Sequence, residues 1–138
     1  MTNTPIDPLA IIELTNLKAA GKLEELAKHP ALTMKPEWIG ELARNQDWSV
    51  RSSLAKNPAI ANYPDIIKQL AADRDPYVRY ALASNPAIAE FPEIAAKLAT
   101  DEQWYVRQSL AQNPAIPGST ASTNRWQTQP SVQNAVSL

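Results

Sequence analysis

A seven-residue phrase occurs four times along this chain, at intervals of 28 residues. Leu26-Ala27-Lys28-His29-Pro30-Ala31-Leu32 recurs as Leu54-Ala55-Lys56-Asn57-Pro58-Ala59-Ile60. It returns as Leu82-Ala83-Ser84-Asn85-Pro86-Ala87-Ile88 and as Leu110-Ala111-Gln112-Asn113-Pro114-Ala115-Ile116. Other positions keep step: Pro36, Pro64 and Pro92; Leu42, Leu70 and Leu98; Val50-Arg51, Val78-Arg79 and Val106-Arg107. Residues 42–69 and 70–97 agree at 14 of 28 positions without a gap. A period of this length marks stacked supersecondary units, each of which buries its apolar face against its neighbours.

Each unit reads as two short helices. In the middle unit Asp75 can cap free amides, and Pro76 suits the first helical position, where an N–H would be unpaired anyway. Val78, Leu82 and Ala83 then share a face. Asn85-Pro86 stops the helix, because proline pushes the preceding residue out of the α region. The linker Ala87-Ile88-Ala89-Glu90-Phe91 is a candidate for a 3₁₀ turn. Pro92 opens a second helix with Ile94 and Leu98 inward. The flanking units repeat the plan: Asp47-Trp48 and Gln103-Trp104 start first helices, and Pro64-Asp65 starts a second helix with Ile66, Ile67 and Leu70 inward. Helices of about nine or ten residues fall below the roughly 12–15 that hold in isolation. Stacking must supply their stability.

The ends depart from the pattern. Residues 1–25 read as N-terminal capping helices. Asp7-Pro8 is the start signal, Leu9, Ile12 and Leu17 are expected inward, and Gly21 is a left-handed stop. A second helix over roughly 22–28 leads into the degenerate first phrase, where His29 replaces asparagine. The repeat array is assigned to 26–116. Residues 117–138 carry a single charge, Arg125, among Ser, Thr, Gln and Asn; they read as a disordered polar tail, with Pro130 to Leu138 as a candidate terminal helix.

Composition narrows the chemistry. The 138 residues suffice for one domain. Without cysteine there is no disulfide, thiolate metal site or cysteine nucleophile, and one histidine cannot build a multi-histidine site. No metal or cofactor is expected. Thirteen Lys and Arg against fourteen Asp and Glu leave a net charge of −1, so no overall field draws the chain to nucleic acid or anionic lipid. No apolar run approaches a membrane span, and the first residues lack a secretory signature. A cytoplasmic location is the expectation.

The motif Leu70-Ala71-x-Asp73-x-Asp75-Pro76-x-Val78-Arg79-x-x-Leu82-Ala83-x-Asn85-Pro86 resembles the leucine-rich repeat variant family of bacterial helical repeats. The resemblance covers roughly residues 26–116. It implies α-helices alternating with 3₁₀ helices in a right-handed superhelix. The expected fold class is therefore all-α, a right-handed α-solenoid of stacked short helix pairs with 3₁₀ segments. The piece from Asp73 to Arg79, repeated from Asp101 to Arg107 and from Asn45 to Arg51, is also similar to HEAT-like repeats. The linker after each Asn-Pro pair is longer here than in the usual variant repeat. An iron–sulfur cluster found beside such repeats does not carry over, since the chain has no cysteine.

Arg51, Arg79 and Arg107 could form a guanidinium stripe for phosphate or carboxylate. Their recurrence at the packing period favours a structural ladder onto Asp73, Asp101 or turn carbonyls. Asn57, Asn85 and Asn113 are read as ladder residues too, satisfying backbone groups at helix ends, and His29 as a turn residue in the same slot. Glu24-Glu25, Asp73/Asp75 and Asp101-Glu102 read as solvated helix-end charges. No catalytic constellation or phosphate loop is patterned, so an enzyme is not expected.

The positions that vary from unit to unit are the better guide to binding. On the first helix they are Ser49, Tyr77 and Tyr105; Ser52, Tyr80 and Gln108; Lys56, Ser84 and Gln112. Repeat proteins keep framework positions and vary one surface to meet partners. Tyr77, Tyr80, Tyr105, Gln108, Ser84 and Gln112 are the candidate partner-binding residues, although Tyr77 and Tyr105 could equally pack on the adjacent helix. Trp48 and Trp104 are expected as partly buried packing residues. The functional expectation is a non-catalytic module that binds another protein or acts as a scaffold, with self-association through an open solenoid end as a further route. The alternative is a HEAT-like nucleic-acid binder, against which residues 45–116 offer seven basic and eight acidic side chains.

Overall fold

A computed structural model of the chain describes residues 7–116; the stretch 117–138, read above as a tail, lies outside the described residues. The chain forms α1 (Pro8–Ala19) and α2 (Leu23–Lys28), then α3 (Pro36–Ala43), α4 (Trp48–Ala55), α5 (Pro64–Ala71), α6 (Pro76–Ala83), α7 (Pro92–Ala99) and α8 (Trp104–Ala111). Three 3₁₀ helices, Leu32–Met34, Pro58–Asn62 and Pro86–Glu90, follow α2, α4 and α6. There is no strand among the described residues.

Local chemistry accounts for the boundaries. Asp7, Asp47 and Asp75 accept the backbone N–H two residues on at 3.0, 2.9 and 2.8 Å, which meets one of the unpaired amides of each helix start. Proline occupies the first turn of α1, α3, α5, α6 and α7. At the other end, Asn57 and Asn85 are extended, with ψ of 118° and 126°, as the following proline requires. Gly21 adopts φ +73° after α1, a conformation that an added Cβ would disfavour.

Like elements stack on like. α2, α4, α6 and α8 form one row, α3, α5 and α7 a second, and the 3₁₀ helices a third. Between the rows runs one apolar core, in which the same slot of successive units is filled in turn: Leu26, Leu54, Leu82 and Leu110; Val50, Val78 and Val106; Leu42, Leu70 and Leu98; Leu32, Ile60 and Ile88. Burying each such side chain contributes about 1.5–3 kcal/mol. The 3₁₀ segment occupies the longer linker and adds its isoleucine to the core.

Two expectations are corrected. In α1 the buried residues are Ala10 and Leu14, and Leu17 packs half-buried against the core as expected, whereas Leu9 is 75% and Ile12 54% exposed. Apolar residues surround this helix, so its periodicity selects no face; packing on α2 does. Ile66 and Ile94 pack half-buried against the core, inward as expected, while Ile67, Leu70 and Leu98 are fully enclosed. The helices from α3 to α8 also have eight residues each, a little shorter than expected because the Asn-Pro turn and the cap take the remainder.

Candidate functional site

The arginines are built into the stack. Arg51 places Nε 2.8 Å from Asp73 Oδ2 and Nη2 3.0 Å from Oδ1, while its Nη1 donates to the carbonyls of Asn45 and Gln46. Arg79 repeats this geometry on Asp101, at 2.7 and 3.1 Å, and donates Nη1 to the Asp73 carbonyl. Each guanidinium therefore grips the turn of its own unit and the carboxylate of the next. Arg51 is 3% exposed. The carboxylates hold the Arg51 and Arg79 guanidiniums above their ordinary values. Burial pushes Asp101 up, but the hydrogen bonds from Arg79 and the Gln103 amide outweigh it and hold this carboxyl below the usual range. Arg107 differs: it is exposed, and its Nη1 donates to the Asp101 carbonyl at 2.6 Å.

The asparagines form a parallel ladder. Asn85 Nδ2 donates to the carbonyls of Ala55 and Asn57 in the preceding unit, and its Oδ1 accepts the Ala87 N–H. Asn57 and Asn113 make the same three bonds one unit earlier and one later. All three are buried, and an amide is the group that can donate twice from one atom and accept at the other. His29 keeps half of the role. Its Nδ1 accepts the Ala31 N–H, and its Nε2 lies 2.9 Å from Glu13 Oε1 on α1.

What remains on the surface of the first-helix row is aromatic. Tyr77 of α6 stacks on Tyr105 of α8, with centroids 5.3 Å apart and planes 17° from parallel. Trp48 of α4 lies 5.7 Å from Tyr77; Tyr80 and Trp104 meet Tyr105 edge-on at 6.1 and 5.7 Å. Offset and edge-on pairs are the favoured aromatic geometries. Tyr77 and Trp104 nevertheless stay 52% and 62% exposed. Burial first, and then the Tyr77 phenol, hold the Tyr105 hydroxyl above its usual value. Ser109 Oγ donates to the Tyr80 carbonyl at 3.0 Å, tying α8 to α6 beneath the rings.

The structure thus joins Tyr77, Tyr80 and Tyr105 in one cluster. Gln108, Ser84 and Gln112 are exposed along or just beyond the same helices, and the Ser84 hydroxyl turns back onto the Ala81 carbonyl at 2.7 Å. Trp48 and Trp104, expected as partly buried packing, are exposed members of the ring strip. Their place beside the varied tyrosine slot was the available signal, but helical periodicity does not tell how far a neighbour covers a first-turn residue.

A cleft of mixed charge adjoins the Trp48 end. It has a volume of about 490 Å³ and is lined by residues including Glu24, Glu25 and Asp47 together with Lys22 and Lys28. Ser49 Oγ lies 2.7 Å from both Glu24 Oε2 and Asp47 Oδ1. One hydroxyl proton cannot serve two acceptors at once. The Ser49 hydroxyl, then its backbone N–H, hold Asp47 below the usual carboxylate range. Among the described residues no group of three or more His, Cys, Asp or Glu is placed to hold a metal ion, and no helix is long and apolar enough to cross a membrane. Comparisons with protein-family models, curated proteins and solved structures give no match to this chain.

Proposed function

We propose that the chain is a non-catalytic helical-repeat module that binds another protein, arranged as a right-handed solenoid on the leucine-rich repeat variant plan. The rows of like helices and the Arg–Asp and Asn ladders support the solenoid reading, since each tie runs to the adjacent unit. The observation that carries the binding reading is the five-ring strip across α4, α6 and α8. Tyr and Trp are enriched where proteins meet and supply most of the energy there, and contiguous exposed apolar surface of this kind marks interaction sites.

The surface has little for a phosphate chain. Arg51 and Arg79 are committed to Asp73 and Asp101, and the carboxylates of Glu24 and Asp47 meet Ser49 beside Trp48. The test compares the immobilised full chain with its Tyr77→Ala variant in a cell extract, followed by titration of any protein retained only by the former. A purified partner that binds the wild type and loses at least tenfold affinity for the variant supports the reading. Equal retention by both chains, or salt-sensitive retention of nucleic acid alone, overturns it.

A further inference from the structure

Within the described residues the stack leaves one face uncovered. Ala43 and Ala71, at the ends of α3 and α5, are buried, as are Ala55 and Ala83 at the ends of α4 and α6. Their counterparts on the last helix pair are not: Ala99 of α7 is exposed and Ala111 of α8 only half-buried. The arginine ladder stops at the same place. Arg51 and Arg79 each fork onto the carboxylate of the next unit. Arg107 is exposed, and among the described residues its hydrogen bond goes to the Asp101 carbonyl of its own unit.

We infer that the segment from Gln127 to Val136 covers this face as a fifth helix of the row formed by α2, α4, α6 and α8, with Val132 and Val136 packed on α8 and Gln127 meeting Arg107. This goes beyond the protein-binding reading and does not depend on it.

The first support is register. The first-helix phrase of the middle unit is Asp73-Arg74-Asp75-Pro76-Tyr77-Val78-Arg79-Tyr80-Ala81-Leu82, and Gln127-Thr128-Gln129-Pro130-Ser131-Val132-Gln133-Asn134-Ala135-Val136 follows it slot by slot. Gln129 stands where Gln103 precedes α8, and Pro130 where Pro76 opens α6. Val132 takes the slot of Val50, Val78 and Val106, Ala135 that of Ala81, and Val136 that of Leu82 and Leu110. Val132 and Val136 are one turn apart, so they share a helix face. The phrase lies 26 positions beyond that of α8, and a strict 28-residue step passes over it.

The second is reach. Residues 117–126 connect Ile116 to Gln127, two fewer than residues 89–100, which connect Ile88 to Asp101. The longer connection contains α7, and helical residues advance only about 1.5 Å each. An extended chain covers about 3.3–3.6 Å per residue, so the shorter connection crosses one unit without a second helix. Thr120 and Asn124 agree, standing where Ile94 and Leu98 enter the core.

The third is the chemistry at the ladder's end. Gln127 falls in the slot of Asp73 and Asp101, where its amide oxygen is an acceptor for the Arg107 guanidinium. Gln133 replaces the arginine of the phrase, so this helix calls for no carboxylate beyond it. The face it covers continues the packing by which α6 covers α4 and α8 covers α6.

The test is amide hydrogen exchange on the full chain, read by mass spectrometry. An isolated helix of this length does not hold in water, so slowed exchange reports docking. Amides of 131–136 should exchange about tenfold or more slower than those of 118–125, after correction for intrinsic rates. Val132→Asp should remove that protection and speed exchange at the end of α8. Asn134→Asp, the same charge in the exposed slot of Tyr80 and Gln108, should leave both unchanged. Unfolded-chain rates over 131–136, or equal effects of the two substitutions, overturn the proposal. So does protection that appears only as concentration rises, with a dimer in sedimentation, since a second copy would then be covering the face.

Discussion

The Arg79 guanidinium spans from its own unit to the Asp101 carboxylate 22 residues on, with both Nε and Nη2 engaged. The side chains are 11% and 8% exposed, so the pair sits where an unpaired charge is costly. Arg51 and Asp73 make the same fork one unit earlier. Interlocking of this kind couples the units, and their folding should be cooperative as a result.

Arg79→Ala should destabilise the chain by about 2–3 kcal/mol, since it leaves the Asp101 carboxylate buried without its partner. Arg107→Ala, at the exposed equivalent, should cost no more than about 1 kcal/mol for a lost surface hydrogen bond. Urea midpoints of the two variants, measured side by side, check the difference. Equal losses would mean that the fork adds nothing beyond the turn contact that both arginines make.

Asn85→Asp is the discriminating change in the second ladder. The aspartate keeps an acceptor for the Ala87 N–H but sets a carboxylate against the carbonyls of Ala55 and Asn57, where the amide had donated. At pH 7 it should destabilise by about 2–4 kcal/mol, at least as much as Asn85→Ala. Lowering the pH should recover part of the loss, because the neutral acid has a proton to donate. Thermal melts at pH 7 and pH 5 would show it.

Acid should weaken the stack through Asp101. A carboxyl whose folded pKa lies below its unfolded value, about 3.9, binds more protons when unfolded. Its contribution is therefore complete above that value and drains away as pH falls through the lower folded one. Stability should fall below about pH 4, and Asp101→Asn, less stable at pH 7, should show a shallower acid limb. Parallel limbs for the two proteins would rule out this source.

Tyr80→Ala should cost at most about 1 kcal/mol of stability, because the ring is 42% exposed and its equivalents are Ser52 and Gln108. It should weaken a protein partner by about 1–2 kcal/mol. Calorimetric titration and a thermal melt on the same sample separate the two effects. A large loss of stability with unchanged affinity would make Tyr80 a packing residue.

The unit length, the helix starts at Asp and Pro, the stops at Asn-Pro and the Val/Leu stripe could all be read from residue order, because each is a local matter of capping, ring geometry or the 3.6-residue turn. The roles of Arg51, Arg79 and the asparagines were legible as a recurrence, but their partners were not fully so: the Asn57 amide reaches back 28 and 30 residues to His29 and Ala27, a distance that only stacking closes. The face of α1 was misread because Leu9, Ile12 and Leu14 are alike in hydropathy and only the position of α2 distinguishes them. Trp48 and Trp104 were misplaced for a related reason. Whether a first-turn ring is covered depends on the helix beside it, and the neighbouring first helices bring rings of their own. The row spacing turned scattered tyrosines and tryptophans, up to 57 positions apart between Trp48 and Tyr105, into one surface: side-chain identity is encoded locally, while adjacency across units exists only after the core has packed.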